Sequence, residues 1–71
     1  EAFDAETNRE FVRFLRYAKR SCSEVQSELY VALDEAYIDT DEFDNTYALA
    51  GKTRAVIRGF INYLVNYEKN K

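Results

Sequence analysis

The sequence predicts an all-α fold: an antiparallel helical hairpin that forms half of an up-down four-helix bundle. Three observations support this prediction. Apolar residues recur on a seven-residue repeat, capping motifs precede two long runs, and the 71 residues include no Pro and only two Gly. Because Pro and Gly are the least favourable residues inside a helix, this composition permits long uninterrupted helices.

The first helix is predicted from about residue 7 to residue 37. Thr7 and Glu10 have the spacing of a capping box, in which each side chain accepts a hydrogen bond from the backbone N–H of the other residue. The apolar seam that follows alternates steps of four and three residues, as in coiled coils. It consists of Phe11, Leu15, Ala18, Cys22, Val25, Leu29, Ala32 and Ala36.

The second helix is predicted from about residue 41 to residue 67, after a turn at about residues 38–40. Asp39 and Glu42 form a second candidate capping box, and so short a connection favours antiparallel helices. Two apolar seams run side by side along this helix. The first is Phe43, Ala50, Ile57, Ile61 and Leu64, and the second is Leu49, Val56, Phe60, Tyr63 and Tyr67.

The two seams of the second helix are too wide for one neighbour to cover. At 100° per residue they span roughly 200° of the circumference, whereas a surface helix needs a stripe little wider than ~100°. We therefore expect the second seam to be an oligomer or bundle interface. Its partner is either a second hairpin or two further helices that precede Glu1 in a longer polypeptide.

Several function classes are disfavoured by the composition. The chain has no His and one Cys, so we expect no metal, no disulfide within the chain and no cofactor. Without a nucleophile beside a base or a Gly-rich phosphate loop, we predict no enzyme and no small-molecule substrate. No run approaches the ~20 apolar residues of a membrane span. The single thiol and the lack of a signal-peptide pattern favour the cytoplasm.

Four arginines form a stripe on the side of the first helix that faces away from its seam. They are Arg9, Arg13, Arg16 and Arg20. Guanidinium groups at this spacing are candidates for binding the phosphates of a nucleic acid. The simpler interpretation, which we favour, is a solvent-exposed back face partly neutralised by neighbouring Glu residues. The net charge of −3 provides no overall attraction to a polyanion.

Residues 8–18 resemble the third helix of a family of bacterial four-helix bundles, the proteins encoded by intervening sequences in 23S ribosomal RNA genes. In that family a Ser or Thr cap precedes the pattern Lys-Glu-Phe-x-x-Phe-Leu-x-x-Ala. A Gly-Ser pair follows, with Glu three residues later. Ser21 and Glu24 fit this pattern, as does Leu-Tyr-Val-Ala at 29–32, whereas Arg20 occupies the position of the Gly.

The resemblance continues in the second helix, where Gly51-Lys52 and the run 57–64 are similar to the family's fourth helix. Residues 1–3 resemble the end of the family's Asn-Ile-Ala-Glu-Gly segment, with Ala2 in place of Gly. The similarity spans nearly the whole chain and corresponds to the second half of the family's fold.

Membership of this family implies an up-down-up-down bundle that associates into a ring-like homo-oligomer, often a pentamer. The function we expect is that of a non-enzymatic scaffold or adaptor. The accessory proteins of diversity-generating retroelements share the fold and bind a reverse transcriptase and nucleic acid through a basic surface. The alternative function is therefore a nucleic-acid-binding accessory factor of such a reverse transcriptase, acting through the arginine stripe.

Overall fold

The computed structural model describes residues 5–69, which form two α-helices of 30 residues each. Helix α1 is Ala5–Asp34 and helix α2 is Thr40–Lys69. The helices pair into a rod with principal dimensions of 50 × 16 × 15 Å. Phe11 packs on Phe60 at one end, and Tyr30 packs on Phe43 at the other. Residues near the start of α1 therefore pack on residues near the end of α2, and the reverse holds at the other end. The predicted antiparallel hairpin is confirmed.

The core lies near the open end of the hairpin, opposite the turn. Among the described residues, the buried hydrophobic side chains are Leu15, Ile61 and Leu64, which are 7%, 3% and 6% exposed. The half-buried side chains packed against them are Phe11, Val12, Ile57 and Val65. Two helices share a single interface, so this cluster is small.

Two side-chain amides cross the interface between the helices. Nδ2 of Asn8, a buried residue, donates a hydrogen bond to the carbonyl oxygen of Leu64 at 3.4 Å. Nε2 of Gln26 donates to the carbonyl oxygen of Tyr47 at 3.1 Å. A Cβ added at Gly51 would lie 3.2 Å from that Gln26 nitrogen. Gly51 therefore leaves room for the bond between Gln26 and the backbone of α2.

The start of α2 is fixed by the predicted capping box, which is confirmed. The backbone N–H of Glu42 donates to Oδ1 of Asp39 at 2.8 Å, and the backbone N–H of Asp39 donates to Oε1 of Glu42 at 2.9 Å. The helix begins at Thr40, one residue before the predicted start, and continues to Lys69, two residues beyond the predicted end.

Helix α1 ends three residues before the predicted end because the backbone becomes left-handed at Ala36, with φ of 63°. The backbone N–H of Ala36 donates a hydrogen bond to the carbonyl oxygen of Leu33 at 3.0 Å. The backbone N–H of Tyr37 donates to the carbonyl oxygen of Ala32 at 2.9 Å. These bonds form a Schellman motif, which terminates a helix. The turn therefore covers residues 35–39 and not 38–40.

The predicted capping box at Thr7 is wrong, because α1 already begins at Ala5. Ala and Glu are strong helix formers, so Ala5 and Glu6 extend the helix past Thr7. Thr7 lies inside the first turn and does not occupy the cap position. The segment 1–3, which resembles the family's Asn-Ile-Ala-Glu-Gly end, lies outside the described residues.

Replacing Asp39 with Ala should lower the free energy of unfolding by about 1 kcal/mol, because α2 loses its N-terminal cap. Thermal unfolding followed by circular dichroism measures the change. Asp39→Asn is the matched control, since Asn caps helices about as well as Asp. Equal destabilisation by both substitutions would contradict a capping role for the side chain.

Replacing Ala36 with Gly should raise the free energy of unfolding by about 1 kcal/mol, because a left-handed conformation is unfavourable for residues with a Cβ. The control is Ala48→Gly, on an exposed position within α2. Ala48→Gly should lower the free energy of unfolding by a similar amount, about 1 kcal/mol. Chemical denaturation compares the two variants, and a loss of stability in Ala36→Gly would refute the assigned turn.

Candidate interaction surfaces

One side of the hairpin carries large apolar side chains that the partner helix does not cover. All five residues of the predicted interface are exposed: Leu49 at 63%, Val56 at 72%, Phe60 at 43%, Tyr63 at 62% and Tyr67 at 51%. The first seam of α2 is buried or half-buried, from Phe43 to Leu64. Helix α1 therefore covers only one of the two seams. That the second seam is an interface remains a prediction.

The exposed seam of α2 continues onto α1. A shallow groove of about 290 Å³ is lined by Cys22 and Val25 from α1 and by Leu49 and Ala50 from α2, which places both helices' exposed residues on one side. Phe14 lies eleven residues before Val25, about three helical turns, and shares its side. We call this surface the apolar face. It consists of Phe14, Val25, Leu49, Val56, Phe60, Tyr63 and Tyr67.

Gly59 lies beside the apolar face, next to Phe60, and has no packing role inside the hairpin. A Cβ added there would meet no heavy atom of the described residues within 4 Å. A Gly within a helix costs about 1 kcal/mol relative to Ala. The contact with Gln26 accounts for a Gly at position 51, whereas no contact among the described residues accounts for the Gly at position 59.

A second, larger groove lies near the open end and is basic. Its volume is about 630 Å³, and we call it the basic groove. Val12 and Val65, which pack on the core, supply its apolar lining. The other residues that line it are Asn8, Arg9, Arg13, Arg16 and Lys69.

The basic groove and the apolar face lie on different sides of the rod. Val12 and Val25 are 13 residues apart on α1, which places them about 140° apart around the helix at 100° per residue. Val65 and Leu49 are separated by about 160° on α2 by the same rule. The hairpin therefore presents two distinct surfaces.

The structure divides the predicted arginine stripe. Arg9, Arg13 and Arg16 line the basic groove, whereas Arg20 lies over the ring of Tyr17, with its guanidinium carbon 5.7 Å from the ring centre. Arg13 also lies 4.0 Å from the carboxylate of Glu10, in an exposed pair that contributes little to stability. The contribution of Lys69 was missed in the sequence, because 53 or more residues separate it from the three arginines that line the groove.

Aromatic rings pack at the turn end of the hairpin. Tyr30 makes edge contacts with Phe43 and Tyr47, whose rings are themselves stacked at 5.3 Å. A hydrogen bond with Tyr47, the charge that Tyr47 would carry when ionised, and partial desolvation raise the pKa of Tyr30. These contacts occupy the rings within the hairpin.

In the part of the chain that the structure describes, no arrangement is typical of a metal centre or a membrane span. Within residues 5–69, no three His, Cys, Asp or Glu side chains are grouped so as to hold a metal ion. Neither described helix combines the length and hydropathy needed to cross a bilayer. Cys22, which is half-buried, is a free thiol in the apolar seam of α1.

Comparison with known proteins agrees with the resemblance in the helical motifs. Neither the curated proteins nor the solved structures give a significant match. The family model described as 23S rRNA-intervening sequence protein matches residues 1–59, which include α1, the turn and two thirds of α2. The chain belongs to the 23S rRNA-intervening sequence protein family.

Proposed function

We propose that the protein is a non-enzymatic scaffold or adaptor, whose apolar face packs against helices other than its own two. The observation that carries this proposal is the exposure of an entire apolar seam on α2, with Val56 72% open to solvent. Contiguous apolar surface of this kind marks interaction sites in soluble proteins. The helices that cover it belong to further copies of the chain or to a preceding part of the same polypeptide.

Three features of the hairpin support this proposal. Within residues 5–69 the buried core holds three hydrophobic residues, and a chain of this size rarely supplies more than ~3–5 kcal/mol from its own core. The apolar face extends along both helices, as an interface in a four-helix bundle requires. Gly59 beside it would allow close approach of another helix, and no contact within the hairpin requires a Gly there.

The mechanism of such a protein is the display of rigid helices. Packing against further helices would fix the 50 Å rod, and its remaining surface would hold a partner at a defined position. Catalysis has no part in this mechanism. Many members of the family form pentamers. For this chain, the measured mass of the assembly gives the number of subunits.

The solution mass of the chain tests the proposal. We expect the hairpin alone to form mixed or aggregating species, and a polypeptide that includes preceding helices to form a defined oligomer. Val56→Glu should weaken the association of the hairpin at least ~tenfold, because a carboxylate would be buried without a partner. Sedimentation velocity measures both effects.

The matched control is Ala55→Glu, which introduces the same charge at an exposed position one residue away, and both variants are measured at about 0.5 M salt, where contacts between exposed charges are screened. It lies about 100° around the helix from Val56 and outside the apolar face. Equal effects of the two substitutions would contradict an interface at this face. A compact, stable monomer of the hairpin would contradict the proposal as a whole.

A further inference from the structure

Charges on the side of the rod that holds the basic groove are sorted along its length. On α1, Arg9 and Arg16 line the groove, and Asp34 lies 18 residues beyond Arg16, five full turns of the helix, on the same side. The row on α1 is therefore cationic from the open end to Arg20, near the middle of the helix, and anionic at the turn.

Helix α2 repeats this order on the same side. Lys69 lines the groove, and Arg58 precedes it by eleven residues, about three turns. Asp44 precedes Arg58 by 14 residues, about four turns, and lies near the turn of the hairpin. Arg58, Asp44, Arg9 and Asp34 are all exposed, so the two rows form one surface with opposite charges at its two ends. We call it the polarised face.

We propose that the polarised face binds a second copy of the chain, turned end for end about a twofold axis. Such a rotation brings the cationic half of each copy onto the anionic half of the other. An interface of this kind is self-complementary and closes as a dimer. It is distinct from the apolar face, on which the proposed function depends.

The register of the two rows agrees with a single twofold axis. If Arg9 faces Asp34 of the second copy, the axis passes α1 between residues 21 and 22. If Arg58 faces Asp44 of the second copy, the axis passes α2 at residue 51. These two points lie at nearly the same height, because Gln26 of α1 is level with Tyr47 of α2 and the helices are antiparallel. One axis therefore aligns all four charge pairs.

The size of the face suits a dimer. The rod presents a side of 50 × 16 Å, and the overlap in this register is roughly 700 Å² per copy in projection, close to the ~800 Å² per partner of a standard interface. Val12 and Val65 in the basic groove add apolar area to the contact. On α2 the residue nearest the axis is Gly51, which has no side chain to obstruct the approach.

The sorted charges favour a second copy over a nucleic acid. A nucleic acid is uniformly anionic, so Asp34 and Asp44 would repel it over half of the face, and the net charge of −3 adds to that repulsion. A second copy provides both signs of charge in the required order. Complementary charges of this kind determine the register and the orientation of an interface.

Sedimentation velocity of the full chain at about 50 mM and about 0.5 M salt tests the proposal, because salt screens exposed charge pairs. We expect the association through the polarised face to weaken at least ~tenfold at the higher salt concentration. Association through the apolar face should persist there. The two proposals can therefore fail independently: an association that is indifferent to salt overturns this one alone.

Charge reversal tests the register. Arg9→Glu with Arg58→Glu should abolish the salt-sensitive step, and so should Asp34→Arg with Asp44→Arg. An equimolar mixture of these two double variants should restore it, because each then offers the charges that the other lacks. Failure of the mixture to associate overturns the proposed arrangement. Circular dichroism, and association at high salt, confirm that each variant is folded.

The matched control is Lys52→Glu, compared with Arg58→Glu alone. Both make the same charge change at an exposed position of α2, but Lys52 lies about 120° around the helix from Arg58. Lys52→Glu should leave the salt-sensitive step unchanged.

A labelled oligonucleotide provides the competing outcome. The proposal is overturned if the unmodified chain binds the oligonucleotide but shows no salt-sensitive self-association, and if Arg9→Glu with Arg58→Glu abolishes that binding. A polyanion is then the occupant of this face.

Discussion

The width of the apolar surface on α2 is the constraint on which the rest of the structure depends. Helix α1 buries the seam that contains Ile61 and Leu64, and it leaves the seam that contains Val56 and Tyr63 exposed to solvent. A pair of helices has a single line of contact, so a second apolar seam cannot be buried within the hairpin. Both the small core and the proposed association follow from this geometry.

The division of the surface into two faces gives the hairpin its functional character. Apolar residues that extend over both helices lie on one side, whereas Arg9, Arg16 and Lys69 meet around a groove on another. The apolar face is suited to permanent packing, because burial of apolar area does not rely on charge pairs that salt screens. The polarised face is suited to a weaker contact that depends on ionic strength. An assembly that uses both would have one permanent and one adjustable interface.

The turn keeps the two helices in register. The reciprocal bonds of Asp39 and Glu42 fix the first residue of α2, and the left-handed Ala36 fixes the last turn of α1. The aromatic contacts of Tyr30 with Phe43 and Tyr47 close the hairpin next to this connection. The heights of Arg58 and Asp44 relative to Arg9 and Asp34 depend on this register, so the charge pattern is linked to the turn chemistry.

The sequence by itself determined the all-α class, the hairpin, the cap at Asp39 and the exposed seam from Leu49 to Tyr67, because these features follow from helical periodicity and local hydrogen bonding. It also contained the family motifs. Only the tertiary structure decided where α1 ends, since the left-handed residue is Ala36, and Ala carries no signal for that conformation. Tertiary structure alone brought Lys69 to the same groove as Arg9 and Arg16 and divided the arginine stripe, because the placement of residues distant in sequence depends on the register of two packed helices.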